Sequence, residues 1–159
     1  MEDLASRGYV VVSVDHTYEA TAVEFPDGRF LESIPGSHFG NTLGNDASEL
    51  AFAVSVRLDD LRFAVNELKR LNEEAASPFA GKLELSHIAL AGHSLGGVTA
   101  ILGVEADTRI KAGIILDGVV PETPVKPLAV AVLLLAAGRE QWSDGNCSCG
   151  TGCTALASL

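Results

Sequence analysis

Residues 92–97 read Gly92-His93-Ser94-Leu95-Gly96-Gly97, a G-x-S-x-G pattern that can present a serine hydroxyl as a nucleophile. The apolar run His87-Ile-Ala-Leu-Ala-Gly92 precedes it and reads as a strand. Leu95 to Val104 follows and reads as a helix. This order predicts Ser94 on a strained strand-to-helix turn, with its hydroxyl projecting beyond a sheet. Gly92 and Gly96 are expected to flank it because a Cβ at either position would collide with neighbouring backbone. A helix starting near Leu95 aims unpaired N–H groups and the positive end of its dipole at the same spot. The Leu95 N–H is therefore a candidate oxyanion donor. The competing reading is a chance Gly/Ser turn, which the strand, the helix and the extra Gly97 argue against.

Asp117 ends the next apolar run, Ala112-Gly-Ile-Ile-Leu116. In a parallel sheet the carboxyl ends of the strands share one edge, so Asp117 and Ser94 are expected on the same edge. A triad acid belongs there, holding a histidine in the right tautomer. The plainer alternative is a loop-capping Asp before Gly118. The base is the difficulty. The histidines are His16, His38, His87 and His93. Elbow enzymes run in the order Ser, acid, His, and no histidine follows Asp117. His93 adjoins the serine, but neighbours in such a turn point apart, so it reads as a packing residue. His87 begins the strand, at the opposite edge. His38 lies in a Gly-rich loop. His16 lies on the correct edge but on a different strand.

The elements that must position these groups follow from periodicity. Tyr9-Val-Val-Val-Ser-Val14 predicts a strand buried on both faces, with Asp15 and His16 at its carboxyl end. Residues 17–45 read as irregular, with a tight turn at Pro26-Asp27-Gly28. Asp46 to Ala75 predicts a long helix, with Leu50, Val54, Leu58, Leu61, Val65 and Leu68 on one face. Its charge run from Lys69-Arg70 to Glu73-Glu74 reads as a solvated helix end. Leu128 to Leu135 predicts a further strand after a loop marked by Pro121, Pro124 and Pro127. Strands alternating with helices imply an α/β fold with parallel pairing and right-handed crossovers. At the amino terminus Leu4 and Ala5 precede Arg7 and Gly8, the signature of a helix end.

Composition narrows the function classes. A chain of 159 residues with 47% hydrophobic content suits one domain with a buried core. The net charge of −10 leaves no basic surface for nucleic acid. The longest apolar run, Leu128 to Ala137, is about half of the roughly 20 residues a membrane-spanning helix needs. The amino terminus has neither the basic start nor the apolar core of a signal peptide, and the compartment stays open. Cys147, Cys149 and Cys153 fall short of a four-ligand structural zinc site and read as a Gly/Ser/Cys tail over 143–159, outside a domain of residues 1–142.

Four segments together resemble the platelet-activating factor acetylhydrolases of the plasma or isoform II type and their bacterial relatives. They are residues 4–16, residues 23–29 (Val-Glu-Phe-Pro-Asp-Gly-Arg), residues 92–97 and residues 110–118 (Ile-Lys-Ala-Gly-Ile-Ile-Leu-Asp-Gly). The resemblance implies an α/β-hydrolase fold and hydrolysis of short acyl esters of lipids, with a small ester or phospholipid as substrate. It implies no metal and no organic cofactor. By position, Ser94 matches the nucleophile, Asp117 the acid and Leu95 one oxyanion donor. The family's oxyanion-loop strand and catalytic-histidine segment have no match in the sequence. A partial α/β-hydrolase fold, cut at both ends and impaired in turnover, is the expectation. In the strand order the resemblance implies, a strand absent here lies between Tyr9–Val14 and the elbow strand. The alternatives are another esterase or lipase of the same fold, and a non-catalytic hydrolase-like remnant. A dienelactone hydrolase-like enzyme is disfavoured because its nucleophile is usually Cys.

Overall fold

The structure, a computed structural model, describes residues 1–33, 47–118 and 130–136. The chain divides into two compact units, Met1–Ile88 and Ala89–Leu159.

The first unit opens with the helix α1, Glu2–Ser6. Gly8, at φ +92°, ends it. The Tyr9 N–H donates to the Leu4 carbonyl (3.2 Å) and the Gly8 N–H to that of Ala5 (3.1 Å). This is the paired bonding of a Schellman stop, which needs a left-handed residue at the turn. The helix end expected from Arg7-Gly8 is thus present. The strand expected at Tyr9–Val14 is not. That segment joins neither sheet, and Tyr9, Val10 and Val12 are 65%, 57% and 49% exposed. Its β-branched composition suits a strand, but a strand exists only against a neighbour that takes up its N–H and C=O groups.

Residues 17–33 are more ordered than their composition suggests. β1 (Ala22–Glu24) and β2 (Phe30–Glu32) pair antiparallel. The Pro26-Asp27-Gly28 turn closes this hairpin. The Gly28 N–H donates to the Phe25 carbonyl at 2.9 Å and the Phe25 N–H to that of Arg29 at 2.8 Å, with Gly28 at φ +80°. This is a three-residue hairpin connection with glycine in the left-handed position. The turn was legible in the sequence. The strands were not, because three residues are too few to show alternation.

The helix α2, Ala47–Glu73, is the long helix expected. Val54 and Val65 on its apolar face are buried, whereas Leu50 is exposed. Its charged end is solvated as expected, with Arg70 bound to Glu67 and Glu74. The Asn72 amide closes the turn beyond α2. It accepts from the Leu83 N–H (2.9 Å) and donates to the Leu83 carbonyl (3.1 Å). A one-turn segment at residues 16–20 meets α2 through two polar pairs. His16 Nδ1 lies 2.7 Å from Asp60 Oδ2, and Arg57 Nη2 lies 2.6 Å from Glu19 Oε2. The second is a charge contact without in-line hydrogen-bond geometry.

The second unit holds a three-stranded sheet in the order β3-β4-β5: Ile88–His93, Ile110–Leu116 and Ala131–Leu135. β4 and β5 run parallel. The helix α3, Leu95–Ala106, connects β3 to β4 and packs on β4. Val98, Ala100, Ile101, Val104, Ile110 and Ile115 form the core of this layer. Helix and sheet meet closely at Gly113, where an added Cβ would lie 3.1 Å from Val104 Cγ2. The expected strand at Leu128–Leu135 is present over its last five residues. The proline-marked loop, the boundary at residue 142 and the cysteine tail lie outside the described residues.

Candidate active site

Ser94 occupies the single residue between the end of β3 and the start of α3, at φ +53°, ψ −119°. A serine before a helix commonly caps it with its hydroxyl. Ser94 makes no side-chain capping bond. Its carbonyl takes the helix's first N–H groups instead, from Gly97 (2.9 Å) and Val98 (3.2 Å). The residue is exposed, and its strained backbone leaves the hydroxyl free of capping duty. A non-glycine residue at such φ is held there by its surroundings. Here a cross-strand bond holds it: the Ser94 N–H donates to the Leu116 carbonyl at 2.9 Å.

The glycines explain how the turn can be so tight, with one correction. A Cβ on Gly92 would collide with the carbonyl group of Gly96 and come within 2.8 Å of the Gly97 nitrogen. On Gly96 a Cβ would meet nothing within 4 Å, so the expected crowding there is absent. Gly96 faces open space in the first turn of α3, and the constrained partner is Gly97. A Cβ at Gly97 would lie 2.9 Å from Ile115 Cγ2 and 3.2 Å from the Gly92 carbonyl oxygen.

Asp117 leaves β4 just as Ser94 leaves β3, on the neighbouring strand. Its φ is +49°, and its N–H donates to the Leu135 carbonyl of β5 at 2.7 Å. The two candidate residues therefore repeat one device. Each steps off its strand in a left-handed conformation, pinned by its N–H to the last carbonyl of the next strand. Leu95 is the first residue of α3 and is buried. Its N–H is one of those that a helix cannot satisfy from within.

The histidines divide differently from expectation. His93 is exposed and is not the packing residue its position suggested, because the last residue of β3 already faces solvent. His87 precedes β3, at the far end of that strand from Ser94. Its Nδ1 lies 2.9 Å from Ser86 Oγ, and the same hydroxyl, bound to Glu84, holds the Glu84 carboxyl below its ordinary range. His16 faces Asp60. His38 lies outside the described residues. Among the described residues no group of three or more His, Cys, Asp or Glu could hold a metal ion. No described helix is long and apolar enough to cross a membrane.

A strand–serine–helix elbow beside an acid-bearing strand defines a unit of the α/β-hydrolase kind. The chain belongs to the family described as platelet-activating factor acetylhydrolase, isoform II, whose match covers residues 45–132. It is 31% identical over 117 residues to a probable 1-alkyl-2-acetylglycerophosphocholine esterase of Arthroderma benhamiae, covering 74% of this chain and 26% of that protein. It is 27% identical over 144 residues to the platelet-activating factor acetylhydrolase of Cavia porcellus, covering 72% of this chain and 30% of the relative. Among solved structures, a ferulic acid esterase from Streptomyces cinnamoneus superposes with a TM-score of 0.62 at 38% identity, over 85% of this chain and 36% of the esterase. The chain thus spans less than a third of the curated relatives it matches. The family and the α/β-hydrolase character expected from the sequence are both shown.

Proposed function

We propose that this chain carries the nucleophile, one oxyanion donor and the acid of a serine ester hydrolase acting on short acyl esters of lipids. The observation that carries the reading is the strained, uncapped Ser94 on one strand beside Asp117 on the next. The relatives named as 1-alkyl-2-acetylglycerophosphocholine esterase and platelet-activating factor acetylhydrolase support an acetyl ester of a phospholipid as substrate. In the first step Ser94 Oγ attacks the acyl carbonyl carbon and a base takes its proton. The Leu95 N–H donates to the developing oxyanion, and the same base returns the proton to the leaving oxygen, so that the alcohol departs and an acyl-serine remains. Water then releases the acid. Asp117 serves by orienting the base and stabilising its cation.

No histidine follows Asp117 in the 159 residues, and slow turnover of these residues assayed by themselves is the expected result. Loss of a triad member leaves roughly 10³–10⁴ over water where the oxyanion hole is whole. The second reading, an esterase for other acyl groups, is favoured by the ferulic acid esterase neighbour. Stopped-flow release of p-nitrophenol from p-nitrophenyl acetate tests both step and rate. The expected result is a release that disappears in Ser94→Ala, followed by slow turnover. Identical release by Ser94→Ala identifies a non-catalytic chain, and turnover matching a full-length relative refutes the impairment. Parallel assays with a feruloyl ester and an acetyl phospholipid choose between the two substrate classes.

A further inference from the structure

Gly118 follows the candidate acid, and its surroundings belong to the nucleophile. A Cβ on Gly118 would lie 2.8 Å from Ile115 Cγ2, 3.1 Å from the Ser94 carbonyl oxygen and 3.2 Å from Gly97 Cα. Gly97 reciprocates, its own Cβ position lying 3.3 Å from Gly118 Cα and 2.9 Å from the same Ile115 methyl. The turn that carries Asp117 and the turn that carries Ser94 thus meet backbone to backbone along a seam, with the Ile115 methyl packed against both glycines. The contact on the elbow side is the carbonyl that accepts the first N–H groups of α3, from Gly97 and Val98. Displacing that carbonyl displaces Ser94 and the start of the helix together, and with them the Leu95 N–H.

We propose that Gly118 is a positioning residue for the hydrolytic step, setting the spacing between the acid's turn and the nucleophile's turn through the Ser94 carbonyl. The inference rests on the serine-hydrolase reading above. A methyl at residue 118 must push against Ile115, the Ser94 carbonyl, or both. The Ile115 side chain is almost fully buried in the core and has little room to retreat, so the elbow takes up part of the shift. Reacting geometry is sensitive on this scale, since a misplacement of about 1 Å can lower a rate about 10²-fold. A displacement of a few tenths of an ångström is expected to lower it about tenfold.

The control lies in β4, the strand that leads to Gly118. Gly113 is also crowded, by Val104 Cγ2 at 3.1 Å, but touches nothing of the elbow. Covalent labelling of the full chain by a fluorophosphonate reads the effect, with saturation kinetics separating the maximal rate from the probe's apparent affinity. Gly118→Ala is expected to lower the maximal labelling rate about tenfold with unchanged apparent affinity. Gly113→Ala is expected to lower the melting midpoint and leave the labelling rate alone. Equal slowing by both variants, or none by Gly118→Ala, overturns the proposal. The backbone amide resonances of residues 94–97 give a readout independent of reactivity. They move in Gly118→Ala and stay in Gly113→Ala if the seam transmits the strain, and unmoved resonances in Gly118→Ala refute it. Labelling equally absent from the wild type and Ser94→Ala defeats the reading of Ser94 as a reactive nucleophile and leaves the seam to be decided by the resonances, whereas labelling that requires Ser94 but ignores Gly118→Ala defeats only this inference.

Discussion

The surroundings of Ser94 and Asp117 in the Ala89–Leu159 unit and the docking of residues 16–20 in the Met1–Ile88 unit rest on different kinds of interaction. Around Ser94 and Asp117 the contacts are backbone to backbone: N–H groups pinned to the carbonyls of neighbouring strands, and glycines where a methyl would not fit. In the Met1–Ile88 unit the segment at residues 16–20 is held to α2 by side chains, His16 to Asp60 and Glu19 to Arg57. Backbone contacts fix a geometry to a few tenths of an ångström, because no rotatable side-chain bond intervenes. Side-chain pairs tolerate more movement and depend on charge. A reacting serine needs the first kind of support, whereas a segment that only has to stay docked can rely on the second.

Substitutions at three places would break or sharpen that contrast. The largest effect is expected for Gly92→Ala. Its methyl has nowhere to go but into the Gly96 carbonyl group, so a loss of more than about 3 kcal/mol is expected, at the diagnostic end of single substitutions. Chemical denaturation followed by circular dichroism measures it, and a variant as stable as the wild type would show that the elbow is looser than its geometry. Next comes Arg57→Met. Glu19 and Arg57 are 9% and 18% exposed at their side chains, and stripping one charge from so buried a pair should remove about 3 kcal/mol, the low end for a buried pair. The double variant Glu19→Met/Arg57→Met should recover most of it, since no unpaired charge is left behind. Strictly additive losses would mean that the pair contributes nothing as a pair. The smallest effect is expected for Gly96→Ala. With open space around it and a helical position, alanine should stabilise by about 0.5–1 kcal/mol while Ser94 labelling proceeds at the wild-type rate. A loss of labelling would restore the crowding at Gly96 expected from the pattern alone.

Local signals in the sequence were legible where they were self-contained. Gly8 stops α1 because the stop needs only its own left-handed backbone. The apolar spacing of α2, the Pro26-Asp27-Gly28 turn and the strand–Ser94–helix order each depend on residues within a turn or two of one another. Tyr9–Val14 failed because its composition speaks for a strand while a partner decides whether one forms. His93 failed because exposure at a strand end depends on what covers that end. Gly118 was legible only as a turn residue after Asp117. Its closeness to Ser94, 24 positions earlier in the chain, arises because β3 and β4 are neighbours in the sheet.

The sequence by itself determined that Ser94 sits at a strand-to-helix elbow and that Asp117 ends the following strand. Glycine spacing and hydrophobic periodicity are consequences of backbone sterics within a few residues. Only the tertiary structure decided which glycines bear the crowding around the elbow, Gly92, Gly97 and Gly118 but not Gly96. It also decided that the backbone turns of Ser94 and Asp117 are pinned in the same way to adjacent strands. Close approach between segments is a property of strand order and packing, and no local pattern encodes which neighbour will occupy the space a missing side chain leaves.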